Sequence, residues 1–94
     1  MPNEATYQEK KARFERMLTV YGRKAVLETL RDTSLQCHAL HLADSNRSAG
    51  IIADITEAAN ARAVAIKHHS REALARISKN GKQDQGVAAD IELD

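Results

Sequence analysis

Residues 36–69 read QCHALHLADSNRSAGIIADITEAANARAVAIKHH, and this stretch decides the fold class. Gln36 to Ala43 is short, rich in apolar residues and bounded by polar turn residues, which suits a buried strand. Asp44-Ser45-Asn46-Arg47-Ser48 is a polar loop, with Ser48 placed to cap the helix that follows. Across 49–62, Ile51, Ile52, Ile55, Ala58 and Ala59 recur at i, i+1, i+4, i+7 and i+8, which lines one face of a helix. Val64, Ile66 and His68 then alternate with Ala65 and Lys67, a second short strand with His68 on its inward side.

Working outward toward the C-terminus, Ser70 caps a helix running to about Lys79, with Leu74 and Ile77 turned inward. Asn80-Gly81 ends it, since both residues tolerate the left-handed cap conformation. Val87, Ala89, Ile91 and Leu93 alternate with Ala88, Asp90, Glu92 and Asp94. One face of that strand is apolar and the other acidic, as expected of an edge or one-sided strand. Working outward toward the N-terminus, residues 23–31 form a helix with Val26, Leu27 and Leu30 on one face, and Gly22 breaks the chain before it. Residues 4–18 read as a charged helix with a thin stripe of Tyr7, Phe14, Met17 and Leu18. The expected order is helix, helix, strand, helix, strand, helix, strand. Strands separated by helices of these lengths predict a small three-layer α/β/α sandwich with an extra N-terminal helix.

Ninety-four residues make one domain with one modest core. The net charge of +1 excludes a polycation, so binding to nucleic acid requires a local cluster of Lys and Arg. Such a cluster is visible in the first third: Lys10, Lys11, Arg13, Arg16, Arg23, Lys24 and Arg31. The single Cys37 rules out an internal disulfide, suits a reducing compartment, and sits in an apolar run as a small hydrophobe does. No apolar run approaches the ~20 residues of a membrane span, and Pro2 to Arg16 is too charged for a secretory leader. A cytoplasmic location without membrane contact is expected.

Three segments offer groups that bind phosphate. Gly22-Arg23-Lys24 opens a helix whose first N–H groups attract anions, and Arg23 adds a bidentate donor. Asn46 and Arg47 lie beyond the C-terminal end of a strand, where ligands of open α/β sheets sit. The segment from Lys79 through Lys82 to Gln85-Gly86 offers two Lys and several amides, groups that hydrogen-bond phosphate, ribose and base edges. Each also has a plain structural reading, as a helix breaker, a surface Arg or an ordinary loop. Metal binding has no support: His38 and His41 face opposite sides of a strand, His68 and His69 diverge, and no pair has helical ligand spacing. Nucleophile motifs, P-loops and dinucleotide-binding turns are absent from the sequence, so no catalytic residue and no cofactor is assigned to it.

Two signatures add a resemblance. Tyr21-Gly22-Arg23-Lys24 followed by Val26-Leu27-Glu28-x-Leu30, the strand Leu40-His41-Leu42-Ala43, the helix Ile51 to Ala63 and the terminal Gln85-Gly86-Val87-Ala88-Ala89 together resemble the N-terminal substrate-binding domain of the SpoU/TrmH family of RNA 2'-O-ribose methyltransferases. The match spans roughly residues 20–93. It implies a fold like that of kink-turn-binding ribosomal proteins. It also implies a parent enzyme that methylates a ribose 2'-hydroxyl of ribosomal or transfer RNA with S-adenosylmethionine. A following knotted domain, usually dimeric, would hold the cofactor and the chemistry. Residues 20–94 then form an RNA substrate-binding domain after a charged extension, 1–19. The chain is expected to be inactive alone, either as a domain cut from a longer protein or as a stand-alone version.

The residues implied for RNA are Gly22, Arg23, Lys24, Asn46, Arg47, Lys79, Lys82, Gln85 and Gly86. Aromatics are confined to Tyr7, Phe14 and Tyr21, so recognition would rest on phosphate contacts, amides and shape more than on stacking. The competing expectation is a docking module that uses the N-terminal helix and its Tyr7, Phe14, Met17 and Leu18 stripe, without RNA contact.

Overall fold

The strand at the end of the chain lies inside the sheet. The computed structural model describes residues 16–93. Its order is β1 (Met17–Tyr21), α1 (Arg23–Arg31), β2 (Gln36–Ala43), α2 (Ile51–Ala61), β3 (Ala65–His69), α3 (Arg71–Ser78) and β4 (Val87–Glu92). The sheet has four strands in the order β1-β4-β2-β3. β2 and β3 are parallel, and β4 runs antiparallel to both β1 and β2. β1, β2 and β3 therefore point the same way, with β4 inserted against them.

Two expectations are corrected here. Met17 and Leu18 are strand, not the end of a helix, and residues 4–15 of the expected helix lie outside the described residues. The run Met17-Leu18-Thr19-Val20-Tyr21 contains β-branched and aromatic residues that fit a pleated surface, and pairing with β4 from Met17↔Glu92 to Tyr21↔Ala88 fixes it. β4 in turn is not an edge: Val87, Ala88 and Ala89 are fully buried. Its Asp90 is compatible with an interior strand because Thr19 and His41 on the flanking strands hydrogen-bond the carboxylate.

α1 and α2 cover one face. Val26, Leu27 and Leu30 of α1 and Ile52, Ile55 and Ala59 of α2 pack on Leu40, Leu42, Val87 and Ala89. α3 covers the other face, with Leu74 on Ala43 and Ala88, flanked by Tyr21 and Ile77. This is the three-layer sandwich the sequence predicts. Cys37 is half-buried rather than buried, and packs at the edge of the larger core. His68 is exposed, because β3 turns Lys67 and His69 toward the α3 face and leaves His68 at the rim of the other face beside Asp44. Leu18 and Leu93 are the large hydrophobic side chains most exposed among the described residues.

Helix ends also differ in detail. Gly50, not Ser48, precedes α2, and no side chain caps that helix. α3 is capped as expected, with Ala73 N–H donating to Ser70 Oγ at 3.1 Å. Lys79, not Asn80 or Gly81, takes the left-handed position after α3, with φ 59°. Arg62, just past α2, donates to the carbonyls of Leu30, Asp32 and Leu35. It thereby satisfies acceptors at the C-terminal end of α1, where cations are favoured.

Candidate nucleic-acid interface

Parallel β1, β2 and β3 are each followed by a helix, β2 after the loop 44–50, so the N-termini of α1, α2 and α3 gather at one end of the sheet. N-terminal helix ends present unpaired N–H groups and a partial positive charge. The start of β4 enters the sheet at the same end and brings Gln85 and Gly86 into the middle of it.

Hydrogen bonds lock three distant segments together there. Arg23 N–H donates to Gln85 Oε1 at 2.8 Å, and its Nε donates to the Gln85 carbonyl at 3.3 Å. An Nη group of Arg23 donates to Asn46 Oδ1 at 3.0 Å. Asn46 Nδ2 donates to the Gly86 carbonyl at 2.7 Å, which also accepts Ala43 N–H at 2.9 Å. Gly22 N–H donates to the Val87 carbonyl at 3.1 Å. The guanidinium of Arg23 is thus held in one orientation while keeping further N–H donors for a ligand.

The backbone supports this geometry at a cost. Gln85 and Gly86 are both left-handed, with φ of 56° and 75°. For Gln85 that conformation is strained, and the two hydrogen bonds from Arg23 hold it. A Cβ on Gly86 would stand 2.7 Å from Asn46 Nδ2, so only glycine lets Asn46 reach the Gly86 carbonyl. Below the turn, buried Asp84 accepts Ser78 Oγ–H at 2.6 Å and Gly86 N–H at 2.8 Å.

The surface above this network is a groove of about 370 Å³ lined by Arg23, Ser45, Asn46, Arg71, Gln85 and Gly86. Arg23, Ser45 and Asn46 also line a second hollow of about 510 Å³, which extends over Arg47 and the uncapped start of α2 at Gly50, Ile51 and Ile52. Arg47 and Arg71 are exposed, and their guanidinium groups have no hydrogen-bonding or ionic partner among the described residues. The combined groove therefore presents three guanidinium groups, two side-chain amides and helix N-termini. Such a donor set binds phosphate oxygens and hydrogen-bonds ribose and base edges.

Of the residues expected at the site, Gly22, Arg23, Asn46, Gln85 and Gly86 are brought together by hydrogen bonds, and Arg47 stands beside them. Lys24 is exposed on the first turn of α1 and does not line the groove. Lys79 and Lys82 are also exposed and outside it. Their loop is tied elsewhere, through Asn80 Nδ2 to the Tyr21 hydroxyl at 2.9 Å. Arg71 was missed by the sequence reading. The signal was present, because Arg71 follows a strand end and a Ser cap just as Arg47 follows β2.

A comparison with curated proteins finds no match. A family model described as RNA 2'-O ribose methyltransferase substrate binding matches residues 19–93, which covers every strand end and loop that builds the groove. The chain thus belongs to the SpoU family of substrate-binding domains, the RNA-binding part of RNA 2'-O-ribose methyltransferases.

Proposed function

We propose that this chain recognises ribosomal or transfer RNA for a ribose 2'-O-methyltransferase, gripping the RNA backbone in the groove formed by Arg23, Asn46, Arg47, Arg71, Gln85 and Gly86. The observation that supports this most is the hydrogen-bonded assembly of Arg23, Asn46 and Gln85–Gly86 beside two guanidinium groups that have no partner among the described residues. Phosphates neutralised by these cations position the RNA, while the Asn46 and Gln85 amides address ribose hydroxyls and base edges. Lys24, Lys79 and Lys82 contribute outside the groove, as longer-range attraction for the RNA backbone.

Methyl transfer itself belongs to a separate, dimeric, S-adenosylmethionine-binding domain of a cytoplasmic parent enzyme. The groove described here does not fit that cofactor: its guanidinium groups oppose a sulfonium cation, and it contains no carboxylate or imidazole to accept the proton of a ribose hydroxyl. No step of the reaction is assigned to this chain.

Equilibrium binding of the chain to a structured ribosomal RNA fragment, with a transfer RNA as comparison, tests the reading at several salt concentrations. Binding is expected to be weak and to fall steeply with salt, with a slope that decreases in Arg47→Ala and Arg71→Ala. Salt-independent binding, or identical slopes in these variants, would contradict it.

A further inference from the structure

The sheet face under α3 contains a row of hydrogen bonds that crosses all four strands and takes no part in the groove's own network. Thr19 Oγ1 on β1 donates to Asp90 Oδ1 on β4 at 3.0 Å. His41 Nε2 on β2 stands 2.8 Å from the other Asp90 oxygen, and His41 Nδ1 stands 2.9 Å from His69 Nε2 on β3. The His41 and Asp90 side chains are 8% and 21% exposed, so the middle of the row is largely shielded, while Thr19 and His69 at its ends are half-buried.

Chemistry fixes the direction of each bond. The hydrogen bond from His41 holds the Asp90 carboxyl below its usual range, so at neutral pH Asp90 is an acceptor only. His41 Nε2 therefore carries a proton. In neutral His41, Nδ1 is then the acceptor and His69 Nε2 the donor. One extra proton can enter this pair, because a single N–H still bridges the two rings. A second would set two N–H groups against each other across the same gap, and the bond would be lost.

The pair sits where the groove begins. His69 is the last residue of β3, and its carbonyl accepts Asp44 N–H at 2.8 Å, the start of the loop that carries Asn46. Ser70 and Arg71 follow it directly, and Arg71 lines the groove. Building on the RNA reading above, we propose that the His41–His69 pair is a proton-operated latch on the groove. It is closed with at most one extra proton, and released when acid charges both rings.

Other charges set where the latch opens. On β3, Lys67 shares the face of His69, and His68 is adjacent. Partial burial is the main influence holding His69 below the ordinary imidazole range; His41 and Lys67 act in the same sense, and Asp44 opposes them. On β2, His38 adds positive field at Asp90, while β4 carries Glu92 two residues further on. From β1, Thr19 and Tyr21 share this face, and Thr19 donates to Asp90. α3 turns Leu74 and Ile77 to the sheet and keeps Arg71, Glu72 and Arg76 exposed. Partial burial and the neighbouring cations therefore disfavour the charged form of His69, which the open latch requires.

The test compares the full chain with His69→Gln, whose amide can still donate to His41 but cannot titrate. Imidazole nitrogen and backbone amide shifts are followed without RNA from about pH 7.5 to about pH 5. Wild type should show His41 protonated at Nε2 and accepting at Nδ1 at the neutral end. The amides of Asp44, Ser45, Asn46 and Arg71 should then move with the imidazole titration, and stay in place in His69→Gln. RNA affinity should fall by up to about tenfold per pH unit below that titration, in wild type more than in the variant. A His41 protonated at Nδ1 at neutral pH, or groove amides that move equally in both proteins, would overturn the latch. RNA that binds neither protein at about pH 7.5 would overturn the RNA reading instead, while the RNA-free shifts still decide the latch.

Discussion

Beneath α1 and α2, the sheet presents Leu40, Leu42, Val87 and Ala89, and Val26, Leu30, Ile52 and Ile55 fill the space above them. At the end of the same strands, the contacts change in kind. Arg23, Asn46, Gln85 and Gly86 meet through directional hydrogen bonds, and two consecutive residues take left-handed backbone. The first region is held by apolar burial, which is roughly additive and indifferent to orientation. The second is held by geometry, in which one misplaced atom costs several partners at once. Core stability and groove geometry are therefore separable in this small domain, and substitutions can be chosen to act on one without the other.

The largest expected effect falls on the core. Leu40 is fully buried, and Leu40→Ala should cost about 2–5 kcal/mol, read as a lower denaturant midpoint. Among molecules still folded, groove amide shifts and RNA affinity should stay near wild type. A groove altered as much as the core would break the comparison.

Gly86→Ala is the crossing experiment. Its φ of 75° and the clash with Asn46 act on the backbone itself, so about 1–3 kcal/mol of stability should be lost together with the Arg23–Asn46 contact. Loss of stability with an unchanged groove spectrum would show that Asn46 does not depend on this turn.

A smaller effect follows from Asp90. Its pKa is lowered in the folded state, mainly by the His41 hydrogen bond, with Thr19 assisting. Its contribution is therefore present above the unfolded-state value and is lost as pH falls through the folded one. Urea midpoints taken down from about pH 5 should decline through that window, and the decline should be shallower in Asp90→Asn.

Smallest of all in stability are the groove cations. Arg47→Ala and Arg71→Ala should stay within about 0.5 kcal/mol of wild type, because neither side chain has an intramolecular partner among the described residues. Each should nonetheless reduce the salt slope of RNA binding by about 1. Lys82→Ala, outside the groove, should change both less.

The sequence was most legible where one local rule acts alone. The apolar periods of α1 and α2 and the short run of β2 are written in adjacent residues, and they appear in the structure close to their expected bounds. β1 was hidden because Met17 and Leu18 also continue the helical stripe of the charged leader. Only pairing with β4, more than seventy positions away, decides their conformation. β4, read as an edge or one-sided strand, was misplaced for the complementary reason: Asp90 looks solvated until Thr19 and His41 are known to flank it. His68 and His69 were exchanged in role because strand alternation gives two faces without saying which has a polar partner. At the groove, the Gly-Arg turn, the Asn-Arg loop and the Gln-Gly turn were each visible alone. Their meeting was not, since it depends on β4 entering between β1 and β2.

The most direct measurement is an amide-shift titration of the chain with a structured ribosomal RNA fragment at low and moderate salt. The account predicts shifts concentrated at Gly22, Arg23, Ser45 to Arg47, Arg71, Gln85 and Gly86, fading as salt rises. Shifts confined to the exposed Leu18 and Leu93 edge, or no shifts at the groove under any condition, would contradict it.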